Sequence, residues 1–253
     1  MVNKAPERGD LDNITLQDIE RYRFASNYVN NKRVLDIACG TGYGSVLLLK
    51  EGKAKEVFGV DIDEKTILEN RQFYRDLNNL FFVQGTAYAL EFKDNYFDVV
   101  VSMETLEHLT DPLVFLKEIK RVTKPNGIII ISTPLNDTEN RFTPSNPYHI
   151  REYNKEEFIE LLNNYFKEYE FFFQYNILQR NWLTRINNKI FKLIPNAKIK
   201  LKAVLPERII RTIRVVLKSE RDKTIKSEIR KNQENAAVII AVIKNIKTLI
   251  KNE

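Results

Sequence analysis

Seven short apolar runs punctuate the chain, and several are separated by stretches whose apolar residues recur with helical spacing. RVLDIA (33–38), EVFGVD (56–61), LFFVQG (80–85), FDVVVS (97–102) and GIIIIST (127–133) are rich in β-branched residues and bounded by Gly, Asp or Asn, the pattern of buried strands. DPLVFLKEIKRVTK (111–124) reads as a helix, with Asp111 able to cap it and Pro112 suited to its first position. KEEFIELLNNYF (155–166) reads as another, followed by two late strand-like runs, EYEFFFQ (168–174) and NAAVIIAVIKNI (235–246). Strands alternating with helices predict an α/β fold: a doubly wound, mostly parallel seven-stranded sheet with helices on both faces.

Composition changes this picture in one place. Of 253 residues, 43% are hydrophobic and 29% charged, ordinary values for a globular domain. The start, NKAPERGDLDN, has no apolar stretch behind a basic one, so no secretory signal is expected, and no apolar run approaches a membrane-spanning length. The single cysteine, Cys39, cannot form an internal disulfide, which makes a cytoplasmic protein the default. The net charge of +6, however, is uneven: residues 176–233 carry +12 and the remainder −6. Their apolar pattern, with RIIRTIRVVLKSE (208–220) as the best case, is amphipathic and helical. The expected organisation is a core over 1–175 that includes an N-terminal helix, a basic amphipathic helical insertion over 176–233 between the last two strands, and a final strand and tail over 234–253. Such an insertion suits an anionic membrane face, nucleic-acid phosphates, a lid or a dimer contact. Nucleic acid is disfavoured by the scarcity of stacking residues, Trp182 and Phe191 alone.

Candidate chemistry gathers where the strands end. VLDIACGTGYGS sets Gly40, Gly42 and Gly44 just after the first strand. The third glycine of a dinucleotide fingerprint would stand one place later, where Ser45 is, and Asp36 is a poor neighbour for a pyrophosphate but a good one for a cation. Asp61 closes the second strand where an acidic residue would bond ribose hydroxyls. A ribose-bearing, positively charged ligand without pyrophosphate is called for, and S-adenosylmethionine meets all three requirements.

Residues 34–45, 57–63, 84–88, 97–108 and 115–134 resemble the motif series of the class I S-adenosylmethionine-dependent methyltransferases, with their Rossmann-like fold, over roughly residues 20–175. The resemblance implies that Asp36, Ala38 and the loop around Gly40 and Gly42 hold the methionine moiety and that Asp61 takes the ribose hydroxyls. It further implies that Ile62 and Ala87 flank the adenine, that Ser102 and Met103 line the cofactor beside the transferred methyl, and that Tyr22 lies over the cofactor. Thr86 stands where many members carry an aspartate, which leaves the adenine amine to a backbone contact or a weaker one.

The stretch ETLEH follows the fourth strand, and the chain's second histidine lies in NPYHIREY. If 104–108 were helical, Glu104, Glu107 and His108 would share a face, and His149 would complete a set of two oxygens and two nitrogens for a divalent metal such as Mg or Mn. Metal chemistry has a use here, because an aliphatic hydroxyl is a poor nucleophile until it loses its proton. The pattern is similar to the metal site of the small-RNA ribose 2′-O-methyltransferases and to the corresponding stretch of the polyprenyl-catechol O-methyltransferases. The alternatives are His108 as a metal-free base, with Glu104 and His149 as further catalytic groups, or a structural role. ERYRFASNYV and STP…NPYHIREYNKEEF look most like bacterial methyltransferases of surface-glycan synthesis, which implies O-methylation of a sugar or glycan acceptor, with RNA ribose methylation or a non-catalytic cofactor-binding scaffold as rivals.

Overall fold

The computed structural model describes residues 14–138, 142, 144, 146–175, 229–230 and 236–245. Strands β1 (Arg33–Ile37), β2 (Glu56–Asp61), β3 (Leu80–Gln84), β4 (Phe97–Ser102), β5 (Thr123–Pro134), β6 (Glu168–Tyr175) and β8 (Ala236–Lys244) lie where the apolar runs predicted them. The order across the sheet is β3-β2-β1-β4-β5-β8-β6-β7, where β7 is a two-residue strand, Ile229–Arg230, at the far edge. The seven longer strands are the seven expected, and Ile229 and Arg230, read as part of the helical segment, pair with Gln174 and Phe173 beyond them. The rest of 176–233, including RIIRTIRVVLKSE, lies outside the described residues. The pairs β1–β2, β2–β3, β1–β4 and β4–β5 are parallel, and β8 runs antiparallel between β5 and β6.

Alternation along the strands divides the core between two faces. Leu35, Ile37, Val100, Ile129 and Ile131 join Phe115, Ile119 and Phe158 of helices α4 (Pro112–Val122) and α5 (Lys155–Asn163). Val34, Val99, Val101, Ile130 and Ile240 join Ile19, Tyr22, Leu48 and Ile67 of α1 (Leu16–Ser26), α2 (Tyr43–Lys50) and α3 (Glu64–Phe73). Each helix begins where its sequence allows. Asp111 caps α4 by accepting from Val114 N at 3.1 Å with Pro112 following, and Thr15 and Asn154 form capping boxes with Asp18 and Glu157. Among the described residues no helix is long and apolar enough to cross a membrane.

The junction of α4 with β5 is fixed from the other end of the chain. Asn245 follows β8, is fully buried, and donates its amide to the carbonyls of Thr123 at 2.9 Å and of Lys120 and Lys124 at 3.2 Å. Asn245→Ala leaves those carbonyls without their donor, and urea unfolding is expected to register a loss of about 1–3 kcal/mol.

Candidate functional site

The parallel strands all deliver their carboxyl ends to one rim, where ligands of such sheets bind. β1 leaves the sheet through three left-handed residues, Ala38 (φ 56°), Gly40 (φ 51°) and Gly42 (φ 77°). At Gly42 a Cβ would come within 2.6 Å of Phe82, so both the conformation and the space there demand glycine. At Gly40 an added Cβ would meet nothing within 4 Å, so the backbone stands open to an incoming ligand. Its carbonyl accepts from Asn70 Nδ2 at 2.7 Å and its N–H donates to Asp61 Oδ2 at 2.9 Å.

Asp61 therefore organises the loop before it meets any ligand, taking a second amide, Asp63 N, on Oδ1 at 3.0 Å. A carboxylate offers about four lone-pair sites, so capacity remains for ribose hydroxyls. Gly85 N donates to Asp61 O at 2.9 Å and Gln84 Nε2 to Ile62 O at 3.4 Å, which draws Thr86 and Ala87 alongside the end of β2. Thr86 Oγ1 accepts from Tyr88 N at 3.3 Å. Ile62 is 60% exposed, a large apolar surface next to an open loop.

Asp36 lies beneath this surface, fully buried, and accepts from Ser45 Oγ at 2.6 Å and Tyr22 Oη at 3.0 Å. Burial pushes its pKa up to about 7, against the two hydroxyls that favour the carboxylate, and Asp61 adds to the rise. Tyr22 is itself buried, with its ring edge-on to Tyr43 at 5.3 Å and so close to Gly44 that a Cβ there would lie 2.1 Å from Tyr22 Cζ. The glycine that misfits a dinucleotide fingerprint is thus the seat of a tyrosine. Ser102 and Met103 end β4 as buried residues, and Ser102 Oγ is without a hydrogen-bond partner. An open cradle at Gly40, an exposed apolar Ile62, an unsatisfied Ser102 hydroxyl and a carboxylate in want of a cation all fit S-adenosylmethionine.

After β4 the structure departs from the expected helix. Glu104 is left-handed (φ 49°), and a single 3-10 turn covers only Leu106–His108. The cause is tertiary. Glu104 N donates to Ser132 O at 3.2 Å and approaches Ser132 Oγ at 3.1 Å, Ser132 Oγ donates to Glu104 Oε1 at 2.7 Å, and Arg21 Nη2 stands 4.0 Å from Glu104 Oε2. Glu104 is accordingly turned toward Ser132 and Arg21.

Glu107, His108 and His149 do come together, each offering a ligand atom within 4.8 Å of the others. Glu107 is 1% exposed; Oε2 accepts from Thr133 Oγ1 at 3.1 Å, while buried Oε1 has no partner and lies 4.0 Å from His108 Nε2. Burial, and after it the charge of Glu104, raise its pKa well above the usual carboxylate range. His108 Nδ1 donates to Tyr148 O at 2.8 Å, a carbonyl that can only accept, so its Nε2 carries the lone pair. Burial lowers its pKa and favours the neutral ring. The imidazoles are 5.0 Å apart at 80°. An unpartnered buried oxygen beside a correctly protonated imidazole fits a divalent cation.

Sequence reasoning passed over Arg21, Tyr43, Asn70 and Glu152. Arg21 is buried, donates from Nη1 to Gln174 Oε1 at 2.6 Å and pairs with Asp18 through Nη2. Burial opposes its charge, but Glu104 and Asp18 more than offset this and its pKa is raised. The signal for Arg21 was its place beside Tyr22 in ERYRFA, and for Glu152 its spacing three residues after His149.

The rim of β1, β2 and β4 thus has the shape and chemistry that a nucleoside ligand requires. Residues 35–131 match the family model described as "Methyltransferase domain". A protein of Mycolicibacterium smegmatis named a probable S-adenosylmethionine-dependent methyltransferase is 36% identical over 143 residues, 56% of this chain and 54% of its own. The demethylmenaquinone methyltransferase of Staphylococcus saprophyticus is 37% identical over 105 residues, 41% of this chain and 45% of that one. The chain spans about half the length of the curated relatives it matches. Phosphoethanolamine N-methyltransferase 2 of Haemonchus contortus, solved with S-adenosyl-L-methionine, has the same fold with a TM-score of 0.56 at 18% identity, over 89% of this chain and 52% of that one. The [4+2]-cyclase SpnF has it too, with a TM-score of 0.60 at 15% identity over 97% and 89% of the two chains. These structural likenesses establish the fold alone, and a cyclase among them illustrates that the fold does not fix the reaction. Over residues 35–131 the chain is therefore similar to S-adenosylmethionine-dependent methyltransferases.

The position of Asp36 yields a test. Its pKa of about 7 in the folded protein exceeds the ordinary 3.8, so the folded state retains a proton that the unfolded chain releases. The ligand-free protein should therefore lose stability as pH rises between those two values, and Asp36→Asn should remove that loss. A cationic ligand favours the ionised form, so calorimetry should find S-adenosylmethionine binding weakened in the wild type between about pH 8 and about pH 6, and much less so in Asp36→Asn. Parallel pH profiles for the two proteins would rule out Asp36 as the group responsible.

Proposed function

We propose that this chain methylates a hydroxyl of a sugar or glycan acceptor, using S-adenosylmethionine and a divalent metal held by Glu107, His108 and His149. The observation that carries the reading is Glu107 Oε1, buried, without a hydrogen-bond partner and facing His108 Nε2 at 4.0 Å beside the end of β4. A buried carboxylate oxygen with no partner costs several kcal/mol unless a proton or a cation satisfies it. Glu104, expected as a fourth ligand, is held by Ser132 instead and stands outside the trio.

The sulfonium donor supplies a methyl group already activated toward a nucleophile, so the protein has to place the acceptor and take its proton. A divalent ion at Glu107 and the two histidines would lower the pKa of a hydroxyl bound to it, and two neighbouring hydroxyls would be oriented together. His108, neutral and with its lone pair on Nε2, is suited either to ligation or to accepting the proton. The basic segment 176–233 is proposed to rest on an anionic membrane face, where lipid-linked acceptors reside.

The Staphylococcus relative supports a second reading, a quinone-type acceptor, through its name and its 37% identity. Both are tested by labelled methyl transfer into an extract of the source cells, with and without a chelator, followed by separation into lipid-linked glycan, sugar-nucleotide, quinone and RNA fractions. Chelator-sensitive label in a sugar fraction is the expected result. Label in the quinone fraction selects the second reading, and label in RNA overturns the sugar acceptor. His149→Ala is expected to cost at least tenfold in transfer and to abolish the chelator's effect.

A further inference from the structure

The loop that carries His149 contains a device that fixes how this histidine is presented. His149 Nδ1 lies 2.6 Å from Glu152 Oε1, and Asn136 Nδ2 donates to Glu152 Oε2 at 2.7 Å. The His149 and Glu152 side chains are only 11% and 14% exposed. Asn136 is anchored in turn, since its N–H donates to Tyr153 O at 2.9 Å and Leu135 bridges to Tyr153 just beyond β5. On the other side of the ring, His149 Nε2 lies 2.9 Å from Asn146 Nδ2, and the amide's orientation is set by Tyr148 N donating to Asn146 Oδ1 at 3.0 Å.

These contacts admit one tautomer of the neutral ring. A carboxylate accepts at Nδ1 and an amide N–H₂ donates at Nε2, so the proton sits on Nδ1 and the lone pair on Nε2. His108 has the same tautomer, set by the Tyr148 carbonyl. A carboxylate behind an imidazole, itself hydrogen-bonded from behind, both orients the ring and strengthens its donor nitrogen. The Asn146 amide occupies the lone pair that a cation would take.

We infer that Glu152, held by Asn136, is the positioning residue that keeps the His149 lone pair on Nε2, where Asn146 now donates to it and where a cation shared with Glu107 and His108 would displace that amide. This rests on the reading of that trio as a metal site, and it adds a residue to it. Glu152 touches neither the acceptor nor the cofactor; it acts through His149.

The test uses two readouts on the full chain. The chain has two histidines, so ¹⁵N-histidine NMR of the metal-free protein resolves them once His108→Ala assigns the pair. Wild-type His149 should appear as the Nδ1–H tautomer, Glu152→Ala as a mixture of both, and Glu152→Gln, which keeps one acceptor, in between. Mn²⁺ titration followed by electron paramagnetic resonance should then give affinity about 10- to 100-fold weaker in Glu152→Ala than in wild type, with Glu152→Gln again intermediate. If His149→Ala weakens Mn²⁺ binding but Glu152→Ala changes neither tautomer nor affinity, Glu152 has no positioning role and the metal site stands. If wild type and His149→Ala bind Mn²⁺ alike, His149 is not a ligand and both inferences fall. A Glu152→Ala chain that does not fold leaves Glu152→Gln to decide: unchanged tautomer and affinity there overturn the proposal.

Discussion

Four carboxylates meet at the carboxyl ends of β1, β2 and β4, two of them buried, Asp36 and Glu107, and the surrounding structure is organised by the need to supply them with partners. Each is compensated differently. Asp36 receives two hydroxyls, Asp61 two backbone amides, and Glu104 a serine hydroxyl with the Arg21 guanidinium nearby. Glu107 receives one threonine hydroxyl and leaves an oxygen bare. Since an uncompensated buried charge is costly and is relieved by a proton or a cation, the bare Glu107 oxygen is the point on which the proposed metal site rests.

The backbone at this rim carries a second expense for the same end. Ala38 and Glu104 are left-handed without being glycine, a conformation of order 1–3 kcal/mol above the ordinary regions. They stand just past β1 and β4, the strands that lead into the glycine loop and toward the histidines. Turning the chain left-handed at Glu104 stops the strand while its N–H still donates to Ser132, so the carboxylate is anchored beside β5 and Glu107 is brought round to Thr133. The strain is local and is held in place by the sheet beneath it.

Much of this was legible in the chain. The seven longer strands could be read because each must fill two faces of one sheet with β-branched residues, and Val99, Val100 and Val101 of FDVVVS do so in alternation. The glycine turn after β1 could be read because the left-handed conformations of Gly40 and Gly42 are set by local geometry. Glu104 could not, because its conformation depends on Ser132, 28 residues away, and a helical spacing was the only local guide. The tie between Asn136 and Glu152 had no sequence signal for the same reason. By contrast, Glu152 lies three residues from His149, near enough to have been found from HIRE alone. Ile229–Arg230 gave no signal as a strand, since two residues carry no period.

Helix α1 joins the two halves of the site. Its consecutive residues Arg21 and Tyr22 point to different carboxylates: Tyr22 donates to Asp36 in the half built around the glycine loop, and Arg21 faces Glu104 in the half that holds the histidines. Arg21 also reaches Gln174 of β6, whose own amide returns to Gln17 O at 2.9 Å, so the helix is pinned to the sheet on the far side from β1. The hydroxyl at Asp36 and the guanidinium near Glu104 are thus both placed by the same seating of α1. Gly44 provides the close fit for the Tyr22 ring, so the contact that seats α1 on α2 also presents the Tyr22 hydroxyl to Asp36.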